Sequence, residues 1–211
     1  RIYSFDPPYE NTDNPAEYLV RAVKEKGVDI LKDTDGDFTF FLVTEETLII
    51  YRDFKGAGPQ VFYRDNQFST RPENLDNNPH PDRPSLAFYL KYGFLPPESS
   101  GISGVHRLPP GYLLSVDNKS GTLHLRNTLE ELLAEKIMIE IEEDKLLEQY
   151  HSLHLKSVRR RIKNQDSVAL LLSGGYDSGG NLAALREVYQ KKISAYTVSF
   201  QDKPLSELPQ V

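Results

Sequence analysis

Ser167-Val168-Ala169-Leu170-Leu171-Leu172-Ser173-Gly174-Gly175-Tyr176-Asp177-Ser178-Gly179-Gly180 is the stretch that decides how this chain is read. Its apolar run, Val168 to Leu172, predicts a strand buried on both faces, as in a parallel sheet. The run stops at Ser173-Gly174-Gly175, where two glycines permit a sharp turn and leave backbone N–H groups uncovered. A helix is predicted from Gly179 to Gln190, with Leu182, Leu185, Val188 and Tyr189 as its apolar face. Strand, glycine turn and helix start together favour an anion such as a phosphate, through amides and helix dipole. Ser173 and Ser178 add hydroxyl donors. Asp177 adds a carboxylate that would repel phosphate unless Mg²⁺ lies between them.

The common phosphate loop has a four-residue spacer and a Gly-Lys-[Ser/Thr] ending, and this stretch has neither. Ser-Gly-Gly-x-Asp-Ser after an apolar strand instead resembles the pyrophosphate loop of ATP-pyrophosphatases. Such enzymes release pyrophosphate from ATP while adenylating a carboxylate or carbonyl oxygen. The plainer alternative is a glycine turn that only reverses the chain. A plain turn has no need of two serines and an aspartate at these spacings.

Composition sets the outer limits. The 211 residues suggest one or two domains, and 38% hydrophobic content is adequate for a globular core. Lys plus Arg number 25 against 31 Asp plus Glu, a net charge of −6 that argues against non-specific nucleic-acid binding. No apolar run approaches transmembrane length and no signal-like segment opens the chain, so a soluble cytoplasmic protein without a membrane partner is expected. The chain has no cysteine, which excludes disulfides, thiolate metal sites and cysteine nucleophiles.

The first part of the chain reads as short strands and turns. Its opening helix has Asn14 as N-cap, Pro15 in the first turn, Glu17 closing a capping box and Gly27 past the end. Strands are predicted at Phe38 to Val43 and Leu48 to Tyr51, joined by Thr44-Glu45-Glu46, and at Gln60 to Tyr63 after the turn Lys55 to Pro59. Asp65-Asn66 suits a hairpin before Phe68. The polar, Pro-rich stretch from Pro72 to Pro84 reads as a loop, ahead of a short helix from Ser85 to Tyr92. Pro109-Pro110-Gly111 turns the chain into a strand from Tyr112 to Val116. Residues 130 to 144 read as a connection, followed by a helix from Lys145 to Ile162 with Leu146, Tyr150, Leu153, Val158 and Ile162 near one face. Arg159-Arg160-Arg161 matches the dipole at that helix's end, with a nucleic-acid patch as the sharper alternative. Ile193 to Phe200 completes a strand–helix–strand unit whose ligand belongs at the carboxyl ends of its strands. The chain ends soon afterwards, so a fragment of a larger sheet is expected.

Taken in order, these stretches resemble the asparagine synthase family. Gly36-Asp37-Phe38-Thr39-Phe40 is similar to that family's Gly-x-Phe-Ala-Phe strand, and Arg52 to Pro59 keeps the spacing of its Arg-Asp-x-x-Gly-x-x-Pro turn. Leu90 to Pro96, Leu108 to Tyr112, and Ser199-Phe200 with Ser206-Glu207 follow in family order. The resemblance implies a fold in two parts. Residues 1–128 would form an α+β, partial Ntn-hydrolase-like glutamine amidotransferase domain of layered antiparallel sheets with helices. After a linker, 129–144, residues 145–211 would begin a doubly wound α/β domain of the adenine-nucleotide alpha-hydrolase (PP-loop) type.

The same resemblance assigns roles. Ser173, Gly174, Gly175, Asp177 and Ser178 would cradle the β- and γ-phosphates of ATP, with Asp177 catalytic and facing Mg²⁺. Leu171 and Val198 align with positions that hold adenine through backbone contacts. The implied activity is ATP-dependent amide formation, with a small carboxylate (aspartate first) and an amine donor as partners, and the family admits a homodimer. One departure matters: the family's glutaminase needs an N-terminal cysteine, whereas this chain opens on Arg1 and has none. Where the family places an aspartate two residues before a glutamate, Pro15 precedes Glu17. Glutamine hydrolysis is therefore not expected. Another asparagine synthase-like ligase on a peptide or small-molecule carboxylate, other ATP-pyrophosphatases such as NAD or GMP synthetases or a tRNA-thiolating enzyme, and a non-catalytic nucleotide-binding relative are the remaining readings.

Overall fold

The computed structural model describes residues 14–134 and 140–198, together with the backbone of residues 2–4. It divides into two units, Arg1–Ile137 and Met138–Val211. Among the described residues no helix is long and apolar enough to cross a membrane.

In the first unit a short strand, β1 (Ile2–Ser4), precedes helix α1 (Pro15–Lys26). Asn14 caps α1 by accepting the Ala16 N–H at 3.0 Å, and its own amide donates to Glu17 at 2.9 Å. At the far end Gly27, at φ +84°, returns its N–H to the Val23 carbonyl. The strands β2 (Asp35–Gly36), β3 (Thr39–Val43), β4 (Thr47–Arg52), β5 (Phe62–Arg64) and β6 (Gln67–Ser69) follow. Then come α2 (Arg83–Tyr92), β7 (His106–Arg107), β8 (Tyr112–Asp117), β9 (Leu123–Asn127) and α3 (Thr128–Ala134). The main sheet runs β3-β4-β8-β9, antiparallel throughout, and a smaller antiparallel sheet runs β6-β5-β7.

Alternation along the strands sends the apolar side chains to two faces of the main sheet. Phe40, Tyr51 and Leu113 share one register row and pack with Leu19, Val23 and Leu31 of α1 and the turn after it. Ile50 and Leu114, one step along, face the other way onto Val61, Tyr63 and Leu108. The main sheet is thus the middle layer, between α1 and the smaller sheet. The structure adds elements beyond those that the sequence predicts. Strand β9 is polar on alternate residues, β7 is two residues long, and α3 occupies residues 128–134 at the start of the expected connection.

Among the described residues the second unit contains α4 (Glu143–Ile162), β10 (Val168–Leu171), α5 (Tyr176–Val188) and β11 (Ile193–Tyr196). The two strands are parallel, pairing Val168 with Ile193 through Leu171 with Tyr196. Two expectations are corrected here. Strand β10 is covered on one face only: Val168 and Leu170 are half-buried, while Ala169 and Leu171 are exposed. The reason is that α4 and α5 pack on each other, and among the described residues nothing lies over the side that carries Leu171. In α4 the buried residue is Leu155, while Leu146, Tyr150 and Leu153 of the expected apolar face are exposed. Buried Ala184, Leu185 and Tyr189 form the rest of the packed surface in this unit. Ser199-Phe200 and Ser206-Glu207 lie outside the described residues.

Candidate functional site

The site forms where β10 runs out of ladder. The Leu172 N–H donates to the Tyr196 carbonyl at 2.8 Å, and the Thr197 hydroxyl donates to the Leu172 carbonyl at 2.7 Å. Beyond this the chain turns at Gly174, whose φ of +78° is the left-handed conformation that glycine adopts without strain. Helix α5 begins directly afterwards, with Gly175 at its N-cap in extended conformation. This corrects the expected start at Gly179: Tyr176, Asp177 and Ser178 are helical, so Asp177 stands in a first helical turn and not in a loop.

Two serines brace the turn. Ser178 Oγ accepts the Ser173 N–H at 3.2 Å, lies 3.1 Å from Ser173 Oγ, and donates to the Gly175 carbonyl at 3.1 Å. A hydroxyl has one proton, so with Ser178 donating to Gly175 the Ser173 hydroxyl is the donor between the two serines. Ser173 Oγ in turn accepts the Gly175 N–H at 3.4 Å. The first helical bond of α5 runs from the Gly179 N–H to the Gly175 carbonyl at 3.0 Å. The amides of Tyr176, Asp177 and Ser178 therefore precede any intrahelical acceptor, and the dipole of α5 adds positive potential at the same point.

All seven residues singled out in the sequence lie at the carboxyl ends of the two parallel strands. Ser173, Gly174, Gly175, Asp177 and Ser178 share the one turn. Leu171 ends β10, and Val198 stands two residues beyond its register partner Tyr196, with both side chains mostly exposed. Asp177 is exposed, and among the described residues no cluster of three acidic or histidine side chains could hold a metal unaided. One carboxylate plus substrate phosphates and water is nevertheless an ordinary donor set for Mg²⁺, so the residues fit that ion in a nucleotide complex.

Sequence reasoning missed a pair of contacts between α4 and α5, the first of them near this turn. His154 Nε2 of α4 lies 3.0 Å from Asn181 Oδ1 of α5, and His151 Nε2 lies 3.4 Å from Glu187 Oε2. The signal was there: two histidines three apart share one face of a helix.

In the first unit the turn from Arg52 to Pro59 is built inward. The buried Asp53 carboxylate accepts the N–H groups of Lys55 (3.1 Å), Ala57 (3.2 Å) and Gly58 (2.8 Å). Gly58 is required, because a Cβ there would come within 2.4 Å of the Phe38 backbone. Arg52, also buried, donates to the carbonyls of Leu108 (3.0 Å) and Gly56 (2.9 Å). Burial and the nearby Arg107 both hold its guanidinium below the usual arginine range. Every oxygen of Asp53 is thus committed to shaping the turn. Glu17 is exposed at the start of α1, and Pro15 opens that helix.

Comparison with known proteins agrees with this two-part layout. The family model described as a glutamine amidotransferase domain matches residues 8–127, and the asparagine synthase model matches residues 149–211. The chain is 23% identical over 206 residues to asparagine synthetase [glutamine-hydrolyzing] 1 of Bacillus subtilis (strain 168), which covers 94% of this chain. It spans about a third (32%) of that relative's length. With an amidotransferase domain over more than half of its length and an asparagine synthase segment after it, the chain belongs to the asparagine synthase family.

Proposed function

We propose that the second unit begins a doubly wound PP-loop domain and that the turn from Ser173 to Ser178 binds the phosphates of ATP. The amides of Tyr176 to Ser178, aimed from a helix start at the carboxyl ends of parallel strands, carry this reading. The Ser173 and Ser178 hydroxyls shape the cradle and can redirect their protons to phosphate oxygens. Asp177 would hold Mg²⁺, which when bound neutralises charge on the departing pyrophosphate. Leu171 and Val198 would flank the adenine, their backbone groups lying at the strand ends.

The reaction is ATP-dependent amide formation of the asparagine synthase type. A substrate carboxylate oxygen attacks the α-phosphorus, and the bond to the β-phosphate oxygen breaks. The products are an acyl-adenylate and pyrophosphate. An amine, ammonia or another, then attacks the acyl carbon, AMP departs with the bonding pair, and the amine's proton passes to solvent. Aspartate is the first candidate acid, which would place the chain in asparagine biosynthesis. The loop acts by fixed donors that meet developing charge, without a covalent enzyme intermediate.

Exchange of labelled pyrophosphate into ATP tests the reading. Exchange that requires aspartate supports it, and exchange that requires another carboxylate keeps the chemistry and changes the substrate. Asp177→Ala is expected to abolish exchange at an unchanged melting temperature, since the side chain is exposed; wild-type-like exchange in that variant removes Asp177 from the mechanism. We further propose that this chain does not hydrolyse glutamine, because it holds no cysteine to act as nucleophile. Glutamate release from glutamine above a protein-free blank would contradict that.

A further inference from the structure

We propose that His154 is a positioning residue for the phosphate turn, holding the start of α5 in place through Asn181. The inference rests on the nucleotide reading above and adds a residue from a different helix.

The argument begins with a weakness in α5. Gly179 and Gly180 occupy consecutive positions directly after the turn, and a Cβ built at either meets nothing within 4 Å. No packing need for glycine exists there, and the two leave the backbone between Ser178 and Asn181 with more freedom than any other helical pair would. The buried residues of α5, Ala184 and Leu185, come one turn later. The serine brace on the other side is local, made within residues 173 to 178. A link from the first two turns of α5 to a separate element is therefore what fixes where its free amides point.

Asn181 supplies that link. It sits four residues after Asp177, on the same side of the helix, and its Oδ1 lies 3.0 Å from His154 Nε2. An amide oxygen only accepts, so Nε2 carries the proton, and both the neutral Nε2–H tautomer and the imidazolium can donate it. His154 projects from the middle of the 20-residue α4, whose Leu155 is buried in this unit, so the donor stands on an anchored element. One turn earlier His151 lies 3.4 Å from Glu187, which adds a second contact between the same two helices. The tie thus fixes the helix directly after the unsupported glycines, as the serine brace fixes the chain directly before them.

The test uses the full chain with His154→Ala, His154→Gln and Asn181→Ala, each checked for wild-type circular dichroism. Hydrogen exchange without nucleotide reads positioning, and MgATP binding reads its consequence. In His154→Ala and Asn181→Ala the amides of residues 176–181 should exchange faster while those of β10 do not change. Their dissociation constant for MgATP should rise about threefold to tenfold, the range of one lost hydrogen bond. Where turnover is measurable, KM for ATP should rise with little change in kcat. His154→Gln, whose amide can donate to the same oxygen, should restore both readouts. Unchanged exchange in His154→Ala overturns the inference, as does MgATP binding equal to wild type. Wild-type protein that does not bind MgATP at all overturns the nucleotide reading instead, and exchange alone then shows whether the tie exists.

Discussion

Single side chains in the first unit show how a family turn is held without any chemistry of its own. Asp53 has three backbone donors on two oxygens, and Gly58 is its shortest contact at 2.8 Å. Asp53→Asn keeps the shape but presents an NH₂ where one N–H must be accepted, and it removes the negative charge next to buried Arg52. A loss of about 3 kcal/mol is expected from such a charged, buried acceptor, read as a lower urea midpoint at unchanged slope. Tyr51 makes a second prediction at this scale. Burial, opposed in part by its hydrogen bond to Thr128, pushes its hydroxyl from 10.0 up to about 12. The unfolded chain therefore loses this proton first as pH rises. The contribution is intact below pH 10 and declines between pH 10 and about 12, by roughly 3 kcal/mol in all. Tyr51→Phe should flatten that part of the stability profile relative to wild type; an identical alkaline slope in both would show that Tyr51 is not the group responsible.

Elements differ in how much of them the residues announce. Helix α1 was legible because its cap, first-turn proline and terminal glycine each satisfy a separate backbone need, and all three sit where the spacing puts them. Strands β3, β4 and β8 were legible through alternation, since one face packs on α1 and the other on the smaller sheet. Strand β9 was not, because as the outer strand of the main sheet it carries Leu123, His124, Leu125, Arg126 and Asn127 with little burial to impose a pattern. For α5 the predicted start at Gly179 came three residues late, because the Ser178 hydroxyl on the Gly175 carbonyl supports a helical turn that runs back to Tyr176. The glycine turn from Ser173 to Ser178 was readable as a turn since its residues are consecutive, whereas the His154–Asn181 contact spans 27 positions and leaves only a weak local trace. The free space around Gly179 carries its own prediction. Gly179→Ala should meet no neighbour and should stabilise the second unit by up to about 1 kcal/mol through helix propensity. A lower melting temperature in this variant would mean that the glycine is needed by the fold after all.

At the scale of the whole molecule, the two units rest on unequal cores. In the first, Leu31, Ile50, Leu108 and Leu114 are wholly buried, and two antiparallel sheets with α1 close around them. Among the described residues the second has a two-stranded parallel sheet covered on one side, and its best-buried side chains, such as Leu155, Ala184, Leu185 and Tyr189, each keep 5–8% exposure. Parallel pairs of this kind depend on burial more than antiparallel ones, and two strands are fewer than an independent sheet needs. Opening free energies should accordingly differ within the one chain. Native-state hydrogen exchange is expected to leave the amides of β4 and β8 protected long after those of β10 and β11 have exchanged, with urea unfolding in two steps and the second unit melting first. Saturating MgATP should move only the earlier step, because a ligand stabilises the unit that binds it by mass action. A single transition that shifts as a whole with nucleotide would mean that the two units unfold as one cooperative body.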